Sequence, residues 1–597
     1  MKKKLQLVLV PALIVLFLIG MACSGGNKAE EAQPATEETK TEIDTKTTGA
    51  GAVASDVKTS TDPTEATVEK RELQPGEIDY GEPKYGGILF AHPHSPLKDV
   101  DPNNDSSYKD PSFNMLLEFD PTTFDRNDIR PSLAESWESN AEGTIYTFKI
   151  RDDARYWDGS TVTAEDVAYG WNRVFDRPRV KVSVESTVKA AIDRIEAVDE
   201  KTVRFHLTYP WADFILHAAM EGFWPVPKAH YEPLDNSDET YSYDSLNTLM
   251  GTGPFKLSKI NSKFDWEYVK NPDYWKKDSE GRALPYLDGM HYYTMTDMSA
   301  ARAAWEAGQV HLTVPNTNAN QTAESLKDMI ARGQGKFVAY PVYCCQYALI
   351  LNTTKPPFDK REVRMAINLA LHRQPMNELA WGGLGGWGTL MGPPGNPLTR
   401  SAEEVLQLPG FREPKDVDIA EAQRLLASAG YPDGFETTVS WWKHLNFEGA
   451  APLVKEQLEK FLNIKTETIV LEQQSFYESR AKGQFNIMFS VTGGGIPGPD
   501  KQAGDNIRLT GANNFLGWEY PGLLDLIEEQ SRELDLVKRK GLVRQIEDIL
   551  HTKDSKDIML FWASFSKMVN VEVVAGLMPG IGGASENKQE HLWLLNP

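Results

Sequence analysis

Residues 130–175 read RPSLAESWESNAEGTIYTFKIRDDARYWDGSTVTAEDVAYGWNRVF, and the fold is decided here. The middle alternates: Tyr146, Phe148 and Ile150 share one side while Thr147, Lys149 and Arg151 share the other, the period of a half-buried strand. Asp158-Gly159 supplies a tight turn, because glycine adopts positive φ without a steric penalty. Thr163 stands three residues before Asp166, a capping-box-like start for a helix that buries Val167, Trp171 and Val174. The unit is strand, turn, helix. It predicts a piece of a large α/β domain and carries no chemistry of its own.

Further elements lie on both sides of it. Residues 86–90 predict a first strand, and Val203, Phe205 and Leu207 alternate as another. Ser299 is placed to cap a helix through Ala303, Ala304 and Ala307. Val363, Ala366, Ile367, Ala370 and Leu371 recur at helical spacing, as do Leu425, Leu426 and Ala429, with Gly430 at the C′ position. Leu453, Val454, Leu458 and Phe461 predict a further helix; residues 469–471 and 558–562 predict strands. This helix–strand alternation indicates a parallel or mixed sheet.

The chain has 597 residues and a formal net charge of −22, from 85 acidic and 63 basic side chains. Such acidity opposes nucleic acid and anionic membrane surfaces as partners. Three cysteines, Cys23 and the neighbours Cys344 and Cys345, cannot build a disulfide scaffold, and two buried free thiols are expected at 344–345. Residues 1–22 read as a signal peptide: Lys2, Lys3 and Lys4, an apolar run broken only by Gln6, then Gly20 and Ala22 before Cys23. The run also approaches the length of an uncleaved membrane anchor. Residues 23–80 contain no aromatic before Tyr80 and too little apolar surface to fold, so they predict a tether. A coil of that length reaches roughly 40 Å.

Several segments together carry a resemblance. LAESWE, YTFKIRDDARYWDGSTVTAEDV, Gly251-Thr252-Gly253-Pro254-Phe255, Asn271-Pro272-Asp273-Tyr274-Trp275, NTTKPPFDKREVRMAINLALHR at 352–373 and Ala429-Gly430-Tyr431-Pro432-Asp433-Gly434-Phe435 follow one another in order. The chain from about residue 81 to its end resembles the family 5 extracellular solute-binding proteins, the peptide receptors of bacterial ABC importers. The resemblance implies an α/β fold of the type II periplasmic-binding-protein kind, with two hinged lobes and an extra inserted domain. Lobe I is expected from 81–124, 246–342 and 560–597, the inserted domain from 125–245 and lobe II from 343–559. It also implies lipidation of Cys23, although Gly20 stands where the usual lipobox has leucine. A monomer on the outer side of a bacterial membrane, handing an oligopeptide-like solute to permease subunits, is the expected arrangement. An oligosaccharide or other non-peptide solute is the alternative ligand. A secreted glycan or peptidoglycan hydrolase and a sensory lipoprotein are the alternatives of other classes.

No catalytic constellation emerges. Gly383-Leu384-Gly385-Gly386-Trp387-Gly388 has dinucleotide-loop spacing, but Pro393-Pro394 forbids the helix such a loop must open. A pocket-rim loop is expected instead. His92 and His94 alternate without a nearby Cys or carboxylate cluster, so neither metal nor cofactor is expected. For ligand binding, aromatic residues suit roomy pockets, which singles out Tyr347 beside Gln346, and Trp441-Trp442 at a strand end. In the resemblance, peptide receptors carry a Gly-Trp-x-x-Asp-type sequence whose aspartate pairs with the ligand's α-ammonium. Threading FNIMFSVTGGGIPGPD (485–500) onto it puts Thr492 at the tryptophan and Gly495 at the aspartate. Thr492, Gly493, Gly494, Gly495 and Asp500 are therefore the remaining candidate binding residues, with Asp500 the carboxylate nearest the missing one.

Overall fold

The computed structural model describes residues 80–597 apart from 94–100, 104–109, 121–127, 177–184, 221, 237–248, 263, 296, 314–336, 382, 444–446, 448, 493–497, 510, 512, 555 and 578–588. The signal segment, Cys23, the tether, His94 and Gly493 to Gly495 lie outside the described residues.

One ten-stranded mixed sheet runs through the molecule. Its strands, in chain order, are β1 (Ile88–His92), β6 (Phe255–Ser262), β7 (Asp265–Lys270), β8 (Gly289–Tyr293), β9 (Leu312–Thr313), β10 (Phe337–Leu351), β11 (Glu436–Trp442), β12 (Lys465–Leu471), β13 (Ile487–Thr492) and β14 (Asp557–Asn570). Numbers 2 to 5 belong to a separate four-stranded antiparallel sheet: β2 (Ala134–Ser139), β3 (Ile145–Ile150), β4 (Ile192–Ala197) and β5 (Thr202–Leu207), in spatial order β2-β3-β5-β4. The large sheet is ordered β12-β11-β13-β10-β14-β9-β1-β8-β7-β6.

The opening stretch folds as its pattern dictates. Tyr146, Phe148 and Ile150 are buried on β3, and Gly159 takes φ +87° in the turn. Helix α1 (Ala164–Asp176) opens with reciprocal bonds, the Asp166 N–H donating to Thr163 Oγ1 at 3.2 Å and the Thr163 N–H to the Asp166 carboxylate at 3.0 Å. Val167, Trp171 and Val174 are fully buried, and Trp171 stacks on Phe223 with ring centres 4.4 Å apart. Arg173 on the same helix is held between Asp101 (2.7 Å) and Asp235 (2.8 Å), all three side chains nearly solvent-free.

Two large cores result. The first joins β1, β6, β7, β8 and the four-stranded sheet with α1, and takes in Val569, Val574 and Leu594 from the end of the chain. The second packs β10, β11, β13 and the start of β14 against α3 (Arg361–Ala370), α4 (Asp416–Ser428) and α5 (Ala451–Leu462). On the other face of β14, Met559 and Trp562 pack against α6 (Pro499–Asn506), α7 (Leu523–Arg532) and α8 (Leu536–Asp548). Gly430 takes φ +92° just beyond α4, where the C′ residue was expected.

Three expectations need correction or narrowing. Helix α2 (Met298–Glu306) begins before Ser299, and the Ala300 N–H donates to Asp297 Oδ1 at 3.0 Å, so Asp297 is the cap. Asp297, two residues before Ser299 and just outside the helix, has the carboxylate that reaches the free N–H, whereas Ser299 already lies within the helix. Cys345 is a free thiol and only half-buried. His92 is buried and its Nε2–H donates to the Met295 carbonyl at 3.0 Å.

Truncating the aromatic centre of the first core should be costly. Trp171→Ala is expected to lower the unfolding free energy in urea by about 3–5 kcal/mol, against about 1 kcal/mol for the cap variant Thr163→Ala. Equal losses in the two variants, followed by circular dichroism, would contradict this packing account.

Candidate functional site

The C-terminal end of β13 is the place to build from, because the candidate residues 492–500 start there. Antiparallel register sets Thr492 opposite Gln346 of β10, and Gln346 opposite Trp562 of β14. Gln346 and Thr492 are both solvent-free. The Thr492 hydroxyl donates to Gln346 Oε1 at 3.3 Å. The Gln346 amide donates to the Leu390 carbonyl at 3.0 Å and to Gln502 Oε1 at 3.3 Å. A buried amide with both ends engaged is fixed in orientation.

Leu390 belongs to the glycine-rich segment, which forms a loop laid across β14. Gly386 exchanges both backbone bonds with Trp562, at 2.7 and 2.9 Å, and the Trp562 indole donates to the Thr389 carbonyl at 3.0 Å. A Cβ at Gly388 would lie 2.7 Å from the Trp562 ring, so glycine permits that approach. No helix follows it before residue 400, so the loop lacks the helix N-terminus that a dinucleotide phosphate would face. The Leu390 N–H donates to His551 Nε2 at 3.4 Å, which requires that nitrogen to be unprotonated. Burial, reinforced by the Arg373 and Arg400 cations, pushes the His551 imidazole down to about 3.

Asp500 sits in the first turn of α6 behind the N-cap Gly498, and it is solvent-free. Its Oδ2 accepts the Trp211 indole N–H at 3.0 Å; its Oδ1 accepts from Arg508 at 2.8 Å and Gln530 at 3.2 Å. The Asp500 N–H donates to the Asp213 carboxylate at 3.2 Å, and Asp213 pairs with Arg539 at 2.6 Å. A Cβ on Gly498 would collide with that carboxylate. The Ala212 N–H also donates to the Ser531 carbonyl at 2.9 Å. A buried polar seam therefore joins the segment just after β5 to helices α6, α7 and α8. His217 lies in it with its Nδ1–H on the Asp213 carbonyl (2.8 Å) and its ring 4.4 Å from that of Trp211. Its Nε2 has no hydrogen-bond partner, and burial lowers its pKa.

The structure thus brings Gln346, Thr492 and, through Gln502, the helix of Asp500 into one group. Tyr347 points to the other face of β10, packed on Phe561, Phe447 and Phe489 with ring centres 5.4–6.0 Å apart. Trp441 is buried in the second core, and Trp442 packs on Phe447, Phe476 and Tyr477 at its flank. Trp211, Asp213, His217, Gln502 and Arg539 were missed by sequence reasoning. Asp213 precedes the helix Phe214–Ala218 and would be taken as its cap, yet its side chain makes no cap bond and serves the seam instead.

The molecule is mixed α/β, with two cores joined by one sheet, and the candidate residues Gln346, Thr492 and Asp500 are solvent-free and engaged with one another's elements. The profile of bacterial extracellular solute-binding proteins, family 5 Middle, matches residues 128–513. The chain belongs to that family, whose members are non-enzymatic transport receptors acting outside the cytoplasm. It is 26% identical over 463 residues to di/tripeptide-binding protein 1 of Pseudomonas aeruginosa, covering 73% of this chain and 81% of the relative. It is 26% identical over 471 residues to heme-binding protein A of Haemophilus influenzae, covering 74% and 80%. Its fold is similar to that of DppA from Helicobacter pylori in complex with the peptide STSA, with TM-score 0.66, 24% identity and coverage of 86% and 98%. Among the described residues, no helix is long and apolar enough to cross a membrane.

Two measurements follow from this geometry. Asp213→Ala strands the Arg539 guanidinium in a buried place and should cost about 3–5 kcal/mol. The double variant with Arg539→Ala should recover part of that loss; strictly additive losses would mean the two charges are uncoupled. Because the unfolded chain takes up a proton at His551 near pH 6.5 and the fold resists it down to about 3, stability should fall as pH drops through that window. Replacing His551 with Gln should flatten the pH dependence of the urea midpoint there.

Proposed function

We propose that this receptor captures a peptide-like solute between its two cores and delivers it to the permease of an ABC importer, working as a monomer tethered through a lipidated Cys23. Strands β10 and β14, which pass between the cores, are the hinge in this reading. The observation that carries it is the family match over residues 128–513, together with the relatives named for di- and tripeptides. An extended peptide suits such a cleft because its backbone offers the same donors and acceptors whatever its sequence.

The ligand's amine is handled differently from the family pattern. Gly495 stands at the position of the expected aspartate, and Asp500 is committed to Trp211, Arg508 and Gln530. A desolvated ammonium without a paired anion binds poorly. The receptor accordingly accepts peptides whose N-terminus carries no charge. Calorimetry is expected to show N-acetyl-trialanine binding more tightly than trialanine, because only the latter brings an unpaired ammonium into the cleft. Gly495→Asp should favour the free amine at least tenfold. A strong preference for the free amine in the parent chain refutes this reading of the loop, and failure of every peptide in a mixed library refutes the peptide ligand.

A further inference from the structure

Away from the seam, the first core's sheet turns one face to solvent. Ile88, Phe90, Val269 and Tyr293 are 41–49% exposed there. Between them, the antiparallel register sets His291 of β8 directly opposite Glu267 of β7, and Asp265 lies two residues further on, on the same face. One donor atom from each of Asp265, Glu267 and His291 lies within 4.8 Å of the other two. His291 Nε2 is 2.7 Å from Asp265 Oδ1. Glu267 Oε1 accepts from Lys259 Nζ at 3.2 Å and Asn261 Nδ2 at 3.3 Å. The opposite face is buried, with Trp266 stacked on Tyr292 at 5.6 Å and 7°, so the two strands form a stiff platform.

We propose that Asp265, Glu267 and His291 form a divalent-metal site, taking a borderline cation such as Zn²⁺ through one imidazole nitrogen and two carboxylate oxygens. This mixed donor set suits zinc, nickel or manganese better than calcium, which takes oxygen alone, or cuprous copper, which takes sulfur. Zinc bonds to N and O are about 2.0–2.2 Å, so donors need to converge to about 3–4 Å. Side-chain rotation on the fixed ladder supplies that movement. The cation replaces the hydrogen bond between His291 and Asp265, the imidazole presenting its lone pair, and water fills the positions on the solvent side. Lys259 is the competing cation. It is 58% exposed and swings into water without leaving a charge buried.

The full-length chain, freed of metal with a chelator, would be dialysed against zinc chloride at pH 7.5, and the bound zinc counted by mass spectrometry. Wild type is expected to hold one more zinc per chain than His291→Gln or Asp265→Asn, with at least a tenfold weaker affinity in each variant. Cobalt supplies a second readout: its visible absorption should appear with wild type and vanish with Glu267→Gln. Near-ultraviolet circular dichroism tests that each variant is folded, and any one folded variant suffices because all three ligands are required. Equal zinc stoichiometry and affinity in wild type and that variant would overturn the site, as would wild type taking up no zinc. Neither outcome bears on peptide capture, which is measured separately.

Discussion

Everything in this molecule hangs on two long antiparallel strands, β10 and β14. They pair from Phe337 opposite Asn570 to Ile350 opposite Asp557, with irregularities between Tyr343 and Cys345 and between Tyr347 and Ala348. The beginning of β14 lies in the second core, and Val569 near its end lies in the first. A ladder of this kind satisfies the backbone of the chain as it passes between cores, where loose connections would leave buried polar groups unpaired. It also limits how the cores move: twist and bending are open to a two-stranded ribbon, while sliding would break register and turn every side chain to the wrong face.

Buried charge fixes the geometry around that ribbon. Arg373 is 2% exposed and donates to the carbonyls of Met559, Asn368 and Gly410, with its face 4.2 Å from the Phe411 ring centre. It ties β14 to α3 and the loop beyond. The seam uses the same chemistry across a longer sequence distance. Buried ion pairs contribute little net stability against well-packed apolar residues of equal size. They do discriminate strongly between the arrangement that satisfies them and any that does not. Asp213, Asp500, Arg508, Gln530 and Arg539 therefore specify how the segment after β5 meets α6 to α8, while the two cores supply the cohesion.

What was legible in the sequence followed from short-range physics. The alternation at 146–150, the Thr163–Asp166 box and the helical spacing at 363–371 appear as written because each is decided by neighbours within a few residues. Ser299 is not the cap because Asp297, two residues earlier, bonds the Ala300 N–H, and the exact start of the helix is set by the backbone rather than by the side-chain type. The seam was not legible at all. Asp213 and Asp500 are 287 positions apart, and no local pattern distinguishes a carboxylate that caps a helix from one that crosses to another. The candidate aromatics were chosen for their contact area, a property that serves a core as well as a pocket. Sequence alone leaves the choice between those uses open, whereas the structure packs Tyr347 and Trp441 among core aromatics.

Gln346 and Tyr347 show how one strand serves both needs. Adjacent residues on a strand face opposite ways, so Tyr347 packs into the second core while Gln346 engages Thr492, Leu390 and Gln502. Leu390 in turn rests on His551, whose neutrality depends on burial and two nearby guanidinium groups. Removing Tyr347 would loosen the core, and the shift would reach the seam through a single peptide unit. The position of Gln346 is thus fixed from both faces, by the packing of Tyr347 on one and by its own bonds to Thr492, Leu390 and Gln502 on the other.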